Sequence, residues 1–344
     1  MSFGLDIGSS GVRCLYRAGS NLRGRRAPAW YVTLPGGQSE RLLLQRAMIP
    51  FSSCEGSYIV FGENAAELSR ALKLPLIPVL PNGQLPHDDP VGRQVAATLI
   101  QSVLPAVTVH RASVAIPRHP SDGRPKSSTD LGQFAVQLLA LRGIAATRMH
   151  AGTASILAEL GDRELTGVGV SLGATSTAFS IAKHGQPIVE LTHDQGLDGV
   201  DEVVAKSRGK YLFDHEGNRY LDVRSVARWR ETCSVNLTSP TDDDQELVRS
   251  LVREWLLASM SRFTQELEAA RVLRSARGLT TMTITGGPSR MTGMDVLVAD
   301  AVRRAQLPLK IDEIRTATTS DYTIARGCLI AAELEQKVAR RAVA

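Results

Sequence analysis

Three glycine turns, each closing a predicted strand, constrain the fold of this chain more than any other feature. The first, in "GLDIGSSGVRC", spans residues 6–11; the second, in "VGVSLGATSTAFSI", spans 171–177; the third, "TITGGPSRMTGMD", spans 283–295. In the first, Asp6 ends a strand, and Gly8 and Gly11 allow close backbone approach. Ser9 and Ser10 add hydroxyl donors, and successive N–H groups in such a turn form an anion nest. Asp6 can hold Mg2+ through water, because magnesium keeps several waters and takes few carboxylates. In the second turn, Gly173 and the small residues Ala174, Thr175, Ser176 and Thr177 let N–H groups close on an anion. The strand end before it carries Ser171, where a metal-water or water-activating carboxylate is expected. In the third, Gly286-Gly287 leave bare backbone against which a flat base or ribose can lie. One such hairpin is an ordinary turn; three in this order are a much stronger signal.

The strand–turn–strand–strand opening at residue 3 recurs at residue 167, so the pattern predicts two similar halves. In the first half it predicts strands over 3–7, 12–17, 57–62, 111–117 and 145–149, and helices over 63–72, 91–103, 126–142 and 151–160. Residues 18–41 are polar and glycine-rich around an apolar stretch near Trp30, and 75–90 form a proline-punctuated loop. The second half opens with the hairpin 167–182 and a strand at 187–192, followed by a turn into a helix in "GLDGVDEVVAKSRG". The longest amphipathic helix, over about 241–273, places Leu247, Leu251, Trp255 and Met260 on one face, which reads as core or as contact with the neighbouring lobe. Asp242, Asp243 and Asp244 suit the positive end of its dipole. A strand at 279–287, a helix, a short strand near 308–312 and a C-terminal helix over 321–339 complete the chain.

A length of 344 residues suits two domains. No apolar run reaches the roughly 18 residues of a membrane span, and the start, Met1 to Asp6, enters a strand directly without a signal-peptide pattern. Cys14, Cys54, Cys233 and Cys328 are far apart and match no zinc spacing, which fits a reducing, cytoplasmic setting. The net charge of +5 gathers partly in Arg23, Arg25 and Arg26 and in Arg271, Arg274 and Arg277. These read either as solvated faces or as contacts for an acidic partner or the inner face of a membrane. Aromatic residues are only 5% and none interleave with those arginines, so no nucleic-acid partner is expected.

At the three turns the chain resembles the actin, Hsp70 and sugar-kinase superfamily, and most closely the MreB bacterial actins. The likeness is collinear. "IVFGENAAELSRAL" is similar to the MreB glycine-glutamate step, "PVLPNGQLPHDDPVGRQVAATLI" to "RPL-DGVIAD" and its helix, and "GLDGVDEVV" to "GGDxFDEAI". "TITGGPSRMTGMDVLV" is similar to "LTGGGALLRGLD", and "DYTIARGCLIAAE" to "TCVARGGGKALE". The resemblance implies an α/β, actin-like (ribonuclease H-like) two-domain ATPase fold with a nucleotide cleft between the domains. Domain I would take 1–149 plus 315–344, with a small subdomain near 28–80. Domain II would take 150–314, with a small subdomain near 200–275. The resemblance implies ATP or GTP with Mg2+ as cofactors, held by Asp6, Gly8, Ser9, Ser10, Gly11, Gly173 to Thr177, Arg230, Gly286, Gly287 and Ser289.

Acidic positions depart from the family pattern. The MreB "DIGGGTT" aspartate falls on Ser171, the water-polarising glutamate on His150, and the glutamate of "TAExxK" on Ala227. Loss of a general base lowers a rate by roughly 10²–10⁴. The expectation is therefore at most a slow ATPase, with His150 either a weak base or a packed, hydrogen-bonded residue. Three functions follow from the resemblance: an MreB-like filament or scaffold for cell shape or internal organisation, recruiting membrane-associated proteins; a monomeric, PilM-like adaptor docking a peptide; or a small-molecule kinase, for which no catalytic aspartate stands out.

Overall fold

The computed structural model describes residues 2–86, 89–106, 110–117, 130–213, 217–269, 278–317 and 321–343. The chain runs β1 (Ser2–Gly8), β2 (Gly11–Ala18), β3 (Asn21–Pro28), β4 (Trp30–Pro35), α1 (Gln38–Arg46), β5 (Ser52–Cys54), β6 (Ser57–Phe61), α2 (Glu63–Leu72) and β7 (Ile77–Pro78). It continues with α3 (Pro90–Val103), β8 (Arg111–Ala115), α4 (Leu131–Ala140), β9 (Ala145–Met149) and α5 (Ala151–Glu159). Then follow β10 (Gly167–Leu172), β11 (Thr177–Lys183), β12 (Gln186–His193), α6 (Leu197–Ser207), β13 (Tyr211–Phe213), β14 (Arg219–Leu221), α7 (Val223–Thr232) and α8 (Asp243–Ala269). The last elements are β15 (Thr281–Thr285), α9 (Met294–Arg304), β16 (Glu313–Thr316) and α10 (Thr323–Val343).

The two predicted halves are two five-stranded sheets of the same topology, β3-β2-β1-β8-β9 and β12-β11-β10-β15-β16. In each, an antiparallel meander is extended by two parallel strands. A four-stranded sheet, β5-β6-β4-β7, is inserted after the first meander, and the β13-β14 hairpin after the second. Alternation in β1 turns Phe3, Leu5 and Ile7 into a core with Leu99, Ile100, Val114 and Leu139. The second core gathers Val170, Phe179, Trp255, Met260 and Phe263, with the rings of Phe179 and Phe263 stacked 4.7 Å apart. The stripe on α8 is thus core: Trp255 and Met260 are buried and Leu247 and Leu251 pack on the same cluster. Asp242 caps that helix, accepting from the Gln245 N–H at 2.8 Å.

Between the sheets lie α5 and α10, packed through their smallest residues. A Cβ on Gly4 of β1 would sit 1.9 Å from the Ala325 carbonyl oxygen of α10. One on Gly327 of α10 would sit 1.9 Å from the Ala154 carbonyl oxygen of α5. On the far side, one on Gly169 of β10 would sit 2.1 Å from the Gly152 carbonyl oxygen of α5. The order is therefore sheet, α10, α5, sheet, with α10 packed against β1 and α5 against β10.

Several elements depart from expectation. Residues 18–41 hold β3 and β4, and the loop at 75–90 holds the β7 bridge strand and a 3₁₀ turn at Pro81–Gly83. The last strand is Glu313–Thr316 rather than 308–312. It pairs with β15, so the second sheet extends past the expected boundary at 314. The expected starts of α4 near 126 and the extension of α8 beyond 269 lie outside the described residues, as do Arg271, Arg274 and Arg277. On β3, Arg25 donates to the Leu104 carbonyl at 2.8 Å and Arg26 pairs with Asp321 at 2.8 Å. No described helix is long and apolar enough to cross a membrane.

Candidate functional site

The β1–β2 turn, the β10–β11 turn and the turn after β15 converge on one cleft of about 410 Å³. Asp6, Gly8, Ser9 and Ser10 line it from the first sheet. Ser171, Gly173 to Ser176, Gly286, Gly287 and Ser289 line it from the second. The first two turns meet directly: Ser9 Oγ and Thr175 Oγ1 are 2.6 Å apart, and Ser176 Oγ donates to the Pro117 carbonyl at 2.9 Å. Gly286 has φ 95°, and a Cβ there would sit 1.9 Å from the Leu172 carbonyl oxygen. Only glycine fits that left-handed, crowded position, which seats the third turn against the second. Ser289 Oγ closes the third turn by donating to the Gly286 carbonyl at 2.7 Å.

Other expected residues point elsewhere. Gly11 pairs with Gly8 in the hairpin and does not line the cleft. Alternation along β11 brings Ala178 to the cleft and turns Thr177 into the core. Thr177 Oγ1 donates there to the Gln195 carbonyl at 2.9 Å and accepts from Trp255 Nε1 at 3.0 Å. His150 also lies outside the cleft lining and is 2% exposed. Its Nδ1 accepts from the Gly152 N–H at 3.2 Å, capping α5. The ring proton is therefore on Nε2, which donates to Thr192 Oγ1 at 3.1 Å. With both nitrogens engaged, the residue takes the packed, hydrogen-bonded role rather than that of a base facing the cleft.

Charge enters mostly from α6 and α7. Arg230 lines the cleft but grips Asp201 with two hydrogen bonds, Nε to Oδ1 and Nη2 to Oδ2, both 2.9 Å. Arg224 reaches across to the inserted four-stranded sheet, its guanidinium 3.9 Å above the ring of Trp30. At the third turn Arg290 pairs with Asp321, which also holds Arg26 of the first sheet. Burial pushes the Asp6 carboxyl above its ordinary range, while Arg13 opposes it from 3.4 Å. Asp198, at the start of α6, is pushed up to about 6, first by burial and then by the charge of Asp201, with Arg224 opposing. Asp198, Asp201 and Arg224 were not assigned from sequence, although "GLDGVDEVV" is the signal that carries the two aspartates.

No group of three or more His, Cys, Asp or Glu able to hold a metal ion occurs among the described residues. Asp6 still fits magnesium bound chiefly by phosphates and water, because its only described side-chain partner is Arg13, through Oδ2. The hydroxyls of Ser9, Ser10 and Thr175 and the turn N–H groups form a donor set suited to a phosphate chain.

A family model described as Volactin matches residues 1–332. The chain is similar to the MamK double helical filament at 18% identity and a TM-score of 0.66, over 96% of this chain and 98% of that one. It is similar to MreB 5 of Spiroplasma citri bound to AMPPNP at 14% identity and a TM-score of 0.64, over 99% and 98%. It is also similar to the ethanolamine utilization protein EutJ from Carboxydothermus hydrogenoformans at 13% identity and a TM-score of 0.50, over 95% and 88%. At these identities the likeness is one of fold, the two-domain actin-like ATPase fold. No curated protein sequence matches the chain significantly.

Proposed function

The chain belongs to the volactin family, and on that premise we propose that it is an actin-like protein that binds an adenine nucleotide with Mg2+ and assembles into filaments. The observation that carries this reading is the convergence of three glycine turns, from both sheets, on one cleft. The structure of MreB 5 bound to AMPPNP supports an adenine nucleotide, with GTP as the alternative, and the MamK filament supports self-association. On this reading the first sheet and α10 form one domain and the second sheet the other. The filaments would be cytoplasmic, at the inner face of the membrane where membrane proteins recruit them, and would serve cell shape or internal organisation. Turnover would be slow, because Ser171 stands at the family's acidic position and His150 is engaged in capping.

Calorimetry tests the binding step. ATP with Mg2+ should bind, and Asp6→Ala should weaken it roughly tenfold or more, as loss of a charged hydrogen-bonding group does. Without Mg2+ the two proteins should differ much less. A folded wild-type sample that gives no heat at high micromolar ATP would overturn this reading.

A further inference from the structure

We propose that Asp198 is the general base of the cleft, taking the proton from the water that attacks the terminal phosphate of a bound nucleoside triphosphate. This rests on the nucleotide reading above. The terminal phosphate belongs where the first two turns meet, a point marked by the Ser9–Thr175 contact at 2.6 Å. The start of α6 is fixed to that spot. The Leu197 N–H donates to the Gly173 carbonyl at 3.1 Å and the Asp198 N–H to the Ala174 carbonyl at 2.8 Å.

Asp198 also lines a second cavity, of about 490 Å³, behind the second turn. Asn82, Thr175, Asp194, Glu254 and Trp255 share its walls. Thr175 and Asp198 therefore stand where the cleft and this outer groove adjoin, so water can reach the carboxylate from the side away from the base and ribose.

Three of the other acids of the cleft are paired with arginines. Asp201 is held twofold by Arg230, Asp6 shares Arg13, and Asp321 is paired with Arg26 and Arg290. Glu231 is exposed on the last turn of α7. Asp198 is half-buried, and no described residue donates a hydrogen bond to its carboxylate, so its lone pairs face the cavities. Burial, Asp201 and Glu202 raise its proton affinity, Arg224 and Arg230 lower it, and the result lies at about 6. Across the groove the charged groups are Asp194 and Glu254. A base that ionises there is charged at neutral pH and still accepts a proton readily.

The step balances simply. The water oxygen bonds to the γ-phosphorus while its proton passes to Asp198. The bond from the γ-phosphorus to the bridging oxygen breaks, and its electron pair leaves with the diphosphate. Asp198 then returns the proton to solvent.

The test pairs ATP binding by calorimetry with phosphate release at saturating ATP. Asp198→Asn should bind ATP about as well as wild type and release phosphate roughly 10²-fold more slowly or less. Asp198→Glu should recover part of the rate. The wild-type rate should climb about tenfold per pH unit toward pH 6 and level off above it. Asp198→Asn turning over like wild type, a flat wild-type profile between roughly pH 5 and roughly pH 8, or bound ATP never cleaved would each overturn the proposal. The wild-type profile decides the matter even if the Asn variant fails to fold. Absence of ATP binding by the folded wild type instead overturns the underlying nucleotide reading.

Discussion

At the residue scale, Asp198 carries a stability consequence separate from its chemistry. Its carboxyl ionises at about 6 in the folded chain against an ordinary 3.8, so the folded state holds the proton more tightly than the unfolded one. Stability from this group is fully present below 3.8 and lost as pH rises through 6. Above that range the ionised carboxylate opposes folding by up to about 3 kcal/mol, since each tenfold gain in proton affinity is worth about 1.4 kcal/mol. Asp198→Asn should therefore melt at nearly the wild-type temperature near pH 4 and distinctly higher near pH 8. Thermal unfolding at the two pH values checks this, and equal differences at both would refute it. A residue kept at such a cost is more readily explained by function than by packing. The sequence made the three turns legible because glycine at a crowded, left-handed position such as Gly286 has no substitute. It left the direction of individual side chains illegible. Thr177 stands in the expected turn yet faces Trp255, and His150 stands at an expected catalytic position yet caps α5.

At the element scale, the two helices between the sheets are packed backbone to backbone at glycine. Gly327 of α10 leaves no room for a side chain, because the nearest atom to an added Cβ is the Ala154 backbone oxygen, which cannot rotate away. Gly327→Ala should force α5 and α10 apart and cost about 3 kcal/mol or more, the upper end for overpacking. Gly199 of α6 is the control, since an added Cβ there meets nothing within 4 Å. Gly199→Ala should be neutral or stabilising by up to about 1 kcal/mol. Denaturant melts of the two variants check this, and similar midpoints would refute it. The same scale explains what the hydrophobic pattern missed. β3 is a solvated edge strand with Arg23, Arg25 and Arg26, so it shows no apolar alternation. The apolar run at 307–311 is drawn into the second core as irregular chain. The strand beyond it, β16, is polar and tied by Arg315 to Asp162 at 2.9 Å and to Glu313 at 2.8 Å.

At the scale of the whole molecule, the repeated opening at residues 3 and 167 pointed to two similar halves, and these are two sheets of one topology, because the same strand order buries the same alternating pattern twice. What the repeat could not convey is how the halves are joined. Besides α5 and α10, they are joined at the cleft by Ser9 with Thr175, Ser176 with the Pro117 carbonyl, Arg290 with Asp321, and Arg224 with Trp30. On the filament reading, a subunit held at both its base and its cleft would present fixed ends to its neighbours. Head-to-tail contacts between unlike ends are heterologous and propagate rather than close. If turnover is slow, growth is governed by this contact and not by a product state that weakens it. Sedimentation across a concentration series should then show an assembly threshold nearly the same with ATP and with a non-hydrolysable analogue. Asp198→Asn should assemble at that same threshold, because it alters turnover and not the ends of the subunit. A threshold that moves severalfold between ATP and the analogue would mean that hydrolysis drives disassembly. A strictly monomeric profile at every concentration, with and without lipid, would instead favour the adaptor reading.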